Sequence, residues 1–472
     1  MMAAPPSTFQ NLINNEFSVS KSRTWMKVLD PASQRLLTRV PKSTPAEVQK
    51  AVTVAEAAHP AWASSPVAKR KAMLFSLLHL LQLHGTDFRH ALQLEVGKTL
   101  QDAESEFERG IDAIHAACSA TAEMNGKHGT NNPTEIYTVH QSLGVCVVIT
   151  PFNFPFMILL WSLPYALITG NTVVFKPSEK TPSTANLLGR YVVQAGFPPG
   201  VFNIIHGLSG AVEKLLSQPV VSAVSFVGSE AAGERVYEHA KATRKRVQIE
   251  ISERNHGIVL DDAAKTRTLC AIVGSAFGAA GQRCMALSVM LCVGSTALWI
   301  DDQVEVARSL KVGCGFDPGT EVGLLITTAA KERVEAMIDL AEMEGAEVVL
   351  DGRNYCVSEY LQGNFVVRPS SPPMFKPLCS ATKRRFSALS SSVSTSKPWT
   401  RPSRWRMRTA QIFRRKINIG QIGINVPVLA ASGPASRTVN KDSFLGDNPV
   451  AIPHHAKNGD NIMTLIGSVR HL

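Results

Sequence analysis

The strongest constraint on the fold is a regular alternation of short apolar runs and helical patterns that begins at Gly144. The runs are four or five residues long and rich in apolar or β-branched side chains. Helical patterns at 183–195 and 230–240 lie between several of them. This alternation is the signature of βαβ units, in which helices connect parallel strands. We therefore predict an α/β fold on a parallel sheet, with strands at 145–149, 172–175, 202–205, 223–226 and 246–249.

Two further blocks flank this pattern. Residues 45–118 are predicted to be mainly helical, with Pro45 in a first turn, and a second αβ block starts near Val259 with helices at 269–280 and 331–344. Single cores stop growing at roughly 250–300 residues. A chain of 472 residues is therefore expected to form at least two domains.

Several features limit the class of protein. The most apolar stretch, 154–169, is interrupted by prolines and a serine, so no membrane span is expected. The first residues, Met1 to Ser7, carry neither a basic nor an apolar targeting segment, which predicts a cytoplasmic protein. The eight cysteines form no CxxC pair. Reduced thiols and no metal site are expected.

Cys284 is the first candidate for chemistry. It follows Gly281-Gln282-Arg283 at the end of the predicted apolar helix. A neighbouring guanidinium lowers a thiol's pKa and favours the nucleophilic thiolate. Most cysteines are inert core residues, so this signal is weak alone. Asn153, between Pro151 and Pro155 at the end of a strand, strengthens it, because its amide can stabilise an oxyanion. The alternative for Asn153 is a structural turn.

Groups suited to a dinucleotide follow the next strands. Lys176 and Glu179 lie at the edge where open α/β sheets bind ligands, and they suit ribose hydroxyls. Gly228-Ser229 opens a helix whose N–H groups could meet a pyrophosphate. Each motif in isolation is more often an ordinary turn, and the sequence has no GxGxxG fingerprint.

Together, these motifs resemble the aldehyde dehydrogenase superfamily, and more narrowly its methylmalonate-semialdehyde dehydrogenase branch, which acylates coenzyme A. The resemblance rests on Phe277 to Ala286, on Asn255-His256-Gly257 and on Pro151 to Pro155. It covers about Phe9 to Arg368, and the run around Cys284 is its most specific part.

The resemblance implies a domain plan. A dinucleotide-binding domain would span 1–258 and include an oligomerisation segment near 120–143. A catalytic domain would span 259–425, with an aberrant stretch at 376–416, and a poorly matched oligomerisation tail would span 426–472. Homo-oligomers, dimers or tetramers, are usual in the family, and its eukaryotic members are mitochondrial. Mitochondria are therefore the alternative location.

The resemblance also implies a chemistry for individual residues. The thiolate of Cys284 adds to an aldehyde, hydride passes to NAD, and coenzyme A takes the resulting thioester. Asn153 and the Cys284 backbone N–H form the oxyanion hole. The dinucleotide contacts fall on Thr150, Phe152, Lys176, Glu179, Lys180 and Ser229. Arg109 and Arg283 match the arginines that hold a substrate carboxylate. The alternative for Arg109 is a solvated helix charge near Glu106 and Glu108.

Glu250 leaves the final acceptor open. Most superfamily members carry a general-base Glu followed by Leu-Gly-Gly, and the acylating branch lacks that Glu. Here Glu250 occupies the position, but Ile251-Ser252-Glu253 follow it. A general base there could activate water and produce a free acid in place of an acyl-coenzyme A.

The segment after position 376 departs from the family. The family continues with Cys-Tyr-Lys-Glu-Glu-Ile-Phe-Gly-Pro-Val, whereas this chain has 380–390 as Ser-Ala-Thr-Lys-Arg-Arg-Phe-Ser-Ala-Leu-Ser. Permitted codons for these residues, read from the third base, spell the family motif. We therefore predict that about 380–409 is translated out of frame and that the family frame returns before Ile417. Sequencing the transcript around codon 380 tests this prediction.

The frame hypothesis also explains the net charge of +11. Residues 376–416 contain 12 Lys or Arg and no Asp or Glu, and the other 37 basic residues nearly balance the 38 acidic ones. The rival interpretation is a basic arm with Trp399 and Trp405 stacking on nucleic acid. We expect no nucleic-acid partner.

The alternative to an active aldehyde dehydrogenase is a catalytically impaired relative that retains NAD or subunit binding.

Overall fold

The structure, a computed structural model, describes residues 8–125, 128–131, 134–137, 140–251 and 255–365, together with the backbone of four strands beyond them. The strands are β1 (Asn11–Ile13), β2 (Glu16–Ser18), β3 (Trp25–Leu29), β4 (Leu36–Pro41), β5 (His128–Asn131), β6 (Thr134–Tyr137), β7 (Val145–Ile149), β8 (Thr172–Lys176), β9 (Phe202–Ile204), β10 (Val221–Val227), β11 (Arg246–Glu250), β12 (Asn255–Val259), β13 (Leu287–Val293), β14 (Ser392–Ser396), β15 (Gln421–Ile424), β16 (Phe444–Gly446) and β17 (Ile462–Ile466).

The α-helices are α1 (Pro45–Ala63), α2 (Val67–Leu83), α3 (Gly85–Ala91), α4 (Leu100–Ser119), α5 (Met157–Ile168), α6 (Pro182–Gln194), α7 (Ser209–Leu216), α8 (Glu230–Ala242), α9 (Lys265–Phe277), α10 (Ile300–Ser309) and α11 (Thr328–Met343). A π-helical segment spans Leu92–Val96, and 3-10 turns span Ala120–Asn125, Gly278–Gly281 and Gly294–Trp299. The predicted start of α1 is confirmed, since Pro45 occupies its first turn behind a Thr44–Glu47 capping box.

The first sheet has the strand order β16-β11-β10-β7-β8-β9-β1-β2. Its central five strands, β11 to β9 in that order, are mutually parallel, and they are the five strands predicted from the sequence. β8 and β9 are added on one side of β7, and β10 and β11 are added on its other side. The direction in which successive strands are added therefore reverses between β7 and β10. Open α/β sheets bind ligands at the carboxyl ends of the strands beside such a switch point.

Alternating side chains of the central strands pack against two helical layers. Val147 and Ile149 face a core shared with α1, α7 and α8, whereas Val148 and Phe175 face a core shared with α2, α4, α5 and α6. Burial on both faces explains why these strands are continuously apolar. The result is a rigid edge on which polar groups at strand ends are positioned.

The second sheet has five parallel strands in the order β14-β13-β12-β17-β15. Its core includes side chains of α9, α10 and α11, which confirms the predicted second αβ block. β14 lies within the segment 376–416, for which the sequence predicts neither a helix nor a strand. Two antiparallel hairpins, β3–β4 and β5–β6, complete the described strands.

The structure corrects the predicted apolar helix at 269–280. The α-helix ends at Phe277, and Ala279 and Ala280 both have a φ of 52°, in the left-handed region. Alanine is the best helix former, so local propensity extends the helix too far. No helix of the described residues is long and apolar enough to cross a membrane.

Candidate active site

A cavity of about 840 Å³ lies at the carboxyl ends of β7, β8, β10 and β11 and extends to the loop that carries Cys284. The register of the parallel strands explains why these ends meet, since Ile149 pairs with both Lys176 and Phe226. The cavity brings together nine of the eleven site residues predicted from the sequence: Thr150, Phe152, Asn153, Lys176, Glu179, Lys180, Ser229, Glu250 and Cys284. Arg109 and Arg283 are not among the residues that line it.

The segment 278–286, called here the nucleophile loop, has an unusual backbone. Ala279, Ala280 and Gly281 adopt left-handed φ values of 52°, 52° and 70° in succession. A non-glycine residue in this region costs about 1 kcal/mol. Such strain persists only where surrounding contacts hold it. The turn is closed by the Gln282 N–H, which donates to the Ala279 carbonyl at 3.1 Å.

Side-chain amides fix both sides of Cys284. The Asn153 Nδ2 donates to the Gln282 carbonyl at 2.7 Å, and the Asn255 Nδ2 donates to the carbonyls of Cys284 at 2.9 Å and Ala286 at 3.0 Å. Asn153 follows β7 of the first sheet, and Asn255 begins β12 of the second. The thiol is therefore held from both sheets at once, and Cys284 itself is partly exposed to the cavity.

The Gln282 side chain adds a third attachment. Its Nε2 donates to the Leu324 carbonyl at 3.0 Å, and its Oε1 accepts from the Ile326 N–H at 3.1 Å. The sequence motifs contain Gln282 and Asn255, but the sequence alone predicts no role for either residue. A buried amide beside an apolar strand was the signal available for Asn255, which is 2% exposed.

Asn153 retains the capacity predicted for it. Its Nδ2 carries two hydrogens and uses one on the Gln282 carbonyl, so the second can donate to another acceptor. Its buried Oδ1 has no partner among the described residues. The hydrogen bond to Gln282 also fixes which end of the amide is the donor, since the reverse orientation would place two oxygens together.

The two predicted arginines lie behind the nucleophile loop. Arg283 forms an ion pair with Asp102 of α4. Burial is the largest cause of the lowered pKa of Arg109, followed by repulsion from Arg283, while attraction to Cys284 opposes the shift. Arg109 thus lies within electrostatic range of both Arg283 and Cys284.

The alternative for Arg109, a solvated helix charge near Glu106 and Glu108, stays open, because Arg109 is only half-buried and Glu108 is exposed. Glu106, in contrast, is buried. Glu106 is 1% exposed, forms a buried ion pair with Lys98, and accepts from the N–H groups of Phe156 at 2.9 Å and Met157 at 3.2 Å. The Lys98 ammonium lies 3.9 Å from the centre of the Phe154 ring. Burial lowers the pKa of Lys98. This pair fixes the turn that carries Asn153 to the start of α5.

The other end of the cavity carries the groups predicted for a dinucleotide. The Lys176 Nζ lies 3.6 Å from Glu179 Oε2, and burial lowers the pKa of Lys176. The Lys180 Nζ lies 5.0 Å from the centre of the Phe152 ring. These contacts hold two ammonium groups and one carboxylate at the end of β8.

Two observations at this end fit a bound nucleotide. The buried Thr150 Oγ1 has no hydrogen-bond partner in the described part of the chain. At Gly228, just before Ser229 and α8, an added Cβ would lie 2.6 Å from the Phe226 ring, so a larger residue there would require that ring to shift. The exposed N–H groups at the start of α8 suit a phosphate.

Glu250 ends β11 and lines the same cavity as Cys284. Its Oε1 accepts from Gln248 Nε2 at 3.1 Å, and its backbone carbonyl accepts from the Gly228 N–H at 3.1 Å. Among the described residues there is no group of three or more His, Cys, Asp or Glu that could hold a metal ion. The polar side chains that line the cavity include a thiol, amides, ammonium groups and carboxylates.

Comparison with known proteins agrees with this arrangement. The model of the aldehyde dehydrogenase family matches residues 17–370. The chain is 38% identical over 456 residues to the acylating, mitochondrial methylmalonate-semialdehyde/malonate-semialdehyde dehydrogenases of Rattus norvegicus and Homo sapiens, with 93% of this chain and 85% of each relative covered.

Solved structures are similar over nearly the whole chain. Methylmalonate-semialdehyde dehydrogenase from Oceanimonas doudoroffii has a TM-score of 0.88 at 32% identity, covering 94% of both chains. A Sinorhizobium meliloti 1021 protein assigned the same activity, solved in complex with NAD, has a TM-score of 0.88 at 29% identity, covering 93% of both chains. The chain belongs to the aldehyde dehydrogenase family.

Proposed function

We propose that this protein oxidises a small carboxylated aldehyde, such as malonate or methylmalonate semialdehyde, with NAD, through a thioester on Cys284. The observation that carries the proposal is the single cavity that Cys284 shares with Asn153 and with the strand-end groups Lys176 and Ser229. The relatives at 38% identity bear the names of such dehydrogenases.

The residues at the thiol suit the first step. The Cys284 thiolate attacks the aldehyde carbon, and the carbonyl oxygen becomes an oxyanion. The second N–H of Asn153 Nδ2 and the Cys284 backbone N–H are the donors for that oxyanion. Because Asn153 is also bonded to Gln282, the donor is in place before charge develops.

The residues at the strand ends suit NAD. When bound, NAD supplies the hydride acceptor. Lys176 and Glu179 would bind the adenosine ribose, the N–H groups that follow Ser229 would meet the pyrophosphate, and Thr150 and Phe152 would contact the same cofactor. The neighbour from Sinorhizobium meliloti was solved in complex with NAD, which supports this choice of cofactor.

We infer that coenzyme A is the acyl acceptor, as the word acylating in the names of the relatives suggests. Glu250 makes water the competing acceptor, since a carboxylate in the same cavity can act as general base. Arg109 and Arg283 supply the positive charge that a substrate carboxylate requires.

An absorbance assay for NADH tests the proposal. Wild-type protein with malonate semialdehyde and NAD should produce NADH, and added coenzyme A should increase the rate and yield an acyl-coenzyme A. Cys284→Ser should abolish turnover while keeping the rise in melting temperature that NAD causes. NADH formation by the Cys284→Ser variant at the wild-type rate would refute the proposed nucleophile.

The second candidate, a catalytically impaired relative, is favoured by one observation. The family match ends at residue 370, shortly before the basic segment 376–416. A melting-temperature rise with NAD, in a protein that turns over no semialdehyde, would identify this case. The homo-oligomer remains a proposal from family resemblance, which size-exclusion chromatography with light scattering tests.

The location proposed from the relatives is the mitochondrion. The proteins from Rattus norvegicus, Homo sapiens and Anopheles gambiae are named mitochondrial, in line with the alternative rather than with the cytoplasmic expectation. Fractionation of cells that produce the full-length protein distinguishes the two.

A further inference from the structure

Asp102, on the first turn of α4, contacts the nucleophile loop at two points. Its Oδ2 accepts from the Ala279 N–H at 3.0 Å, and its Oδ1 forms the ion pair with Arg283. One carboxylate therefore binds the backbone at the start of the left-handed turn and also the side chain next to Cys284. Thr99, the N-cap of α4, donates to Asp102 Oδ2 at 3.2 Å and so helps to orient it.

The Arg283 guanidinium is confined on a second side. A Cβ added at Gly278 would overlap its Cζ, Nη1 and Nη2 to the same degree, so the guanidinium lies flat against the glycine backbone. Gly278 on one side and Asp102 at its edge thus limit the orientations that the Arg283 guanidinium can adopt. A free arginine would lose about 2 kcal/mol of rotamer entropy on adopting a single geometry.

We propose that Asp102 is a positioning residue that holds Arg283 and the strained nucleophile loop in the arrangement that selects aldehydes bearing a carboxylate. This inference rests on the proposed function. Asp102 touches no substrate. It acts by fixing the direction of the Arg283 guanidinium, whose positive charge, next to Cys284 in the chain, attracts the carboxylate of the aldehyde.

The opposite role is also physically possible, and it makes the proposal testable. Lys98, Arg109 and Arg283 carry three positive charges around the loop, while Asp102 and Glu106 carry two negative charges. If Asp102 acted only as a counter-charge, its removal would increase the local positive charge and attract anions more strongly. If it positions Arg283, its removal disperses the guanidinium and weakens anion selection.

Two alkylating reagents of similar size separate these roles without turnover. Iodoacetate carries a carboxylate and iodoacetamide is neutral, so the ratio of their rates at Cys284 measures anion selection. Cys270 and Cys356 are exposed, so we expect the reagents to alkylate them as well. Peptide mass spectrometry is therefore used to measure alkylation at Cys284 separately. Asp102→Ala is expected to lower the iodoacetate-to-iodoacetamide ratio at least fivefold, toward the ratio of Arg283→Gln.

The matched control is Glu104→Ala, which removes an exposed carboxylate from the same helix and should leave the ratio within twofold of wild type. A raised or unchanged ratio in Asp102→Ala would overturn the proposal. Asp102→Asn keeps one acceptor oxygen and should lie between wild type and Asp102→Ala if the alanine variant folds poorly. Wild-type protein that forms no NADH with any semialdehyde would refute the proposed function while the alkylation ratios still decide the role of Asp102.

Discussion

The buried ion pair between Lys98 and Glu106 gives a quantitative prediction about stability. Both side chains are at most 1% exposed, so removing one leaves the other charge in a low-dielectric interior. Loss of one partner of a buried pair costs about 3–5 kcal/mol. Lys98→Met and Glu106→Gln are each expected to lower the free energy of unfolding by that amount.

The double variant separates charge from packing. In Lys98→Met/Glu106→Gln no charge remains, and the Gln oxygen can still accept from the N–H groups of Phe156 and Met157. We expect it to cost about 1–2 kcal/mol, because neutral hydrogen bonds replace stronger charged ones. The double variant should therefore be more stable than either single variant.

Urea unfolding followed by tryptophan fluorescence measures the cycle. The matched control is the exposed pair Lys265–Asp302, with side chains 46% and 45% exposed and a 2.7 Å contact, whose coupling should be at most about 1 kcal/mol. If the costs of Lys98→Met and Glu106→Gln simply add, the buried-charge reasoning is refuted.

Three other perturbations have defined outcomes. Asn255→Ala removes the hydrogen bonds to the carbonyls of Cys284 and Ala286. It should lower the free energy of unfolding, measured in urea, by about 2 kcal/mol and slow the alkylation of Cys284 by iodoacetamide. Unchanged alkylation would show that Asn255 does not position the thiol. Burial raises the pKa of Glu95 to about 8, so the folded state binds a proton that the unfolded state has released between about pH 4.5 and 8. Stability should therefore fall with rising pH across that window, by up to about 1.4 kcal/mol per pH unit from this group, and Glu95→Gln should flatten the profile measured by urea unfolding at several pH values; an equally steep profile would contradict this. Glu250→Gln should reduce the share of free acid among the products at least tenfold, and an unchanged share in product analysis would remove Glu250 as the base that activates water.

The parallel sheet could be predicted from local patterns, whereas most of the cavity residues were predicted from those patterns together with the family resemblance. Continuously apolar runs locate buried strands, and parallel strands bring their carboxyl ends to one edge, so Asn153, Lys176 and Ser229 converge without any knowledge of long-range contacts. The same geometry explains why these residues line a single shared cavity.

The parts that the sequence missed depend on contacts between distant segments. Asp102 and Arg283 are 181 positions apart, and nothing in local periodicity connects them. Lys98 and Glu106 resemble ordinary solvated charges in the sequence, and only the packing of α4 against α5 buries them. The left-handed Ala279 contradicts alanine's helix propensity because the carboxylate of Asp102 holds its N–H elsewhere.

The attachment of the nucleophile loop to both sheets has a mechanical consequence. Asn153 follows a strand of the first sheet, and Asn255 lies in a strand of the second. Their side chains donate hydrogen bonds to carbonyls only two residues apart, at Gln282 and Cys284. A displacement of one sheet relative to the other would change the length of one or both hydrogen bonds. The backbone on either side of the Cys284 sulfur is therefore coupled to both sheets, so its position depends on how the two sheets are placed.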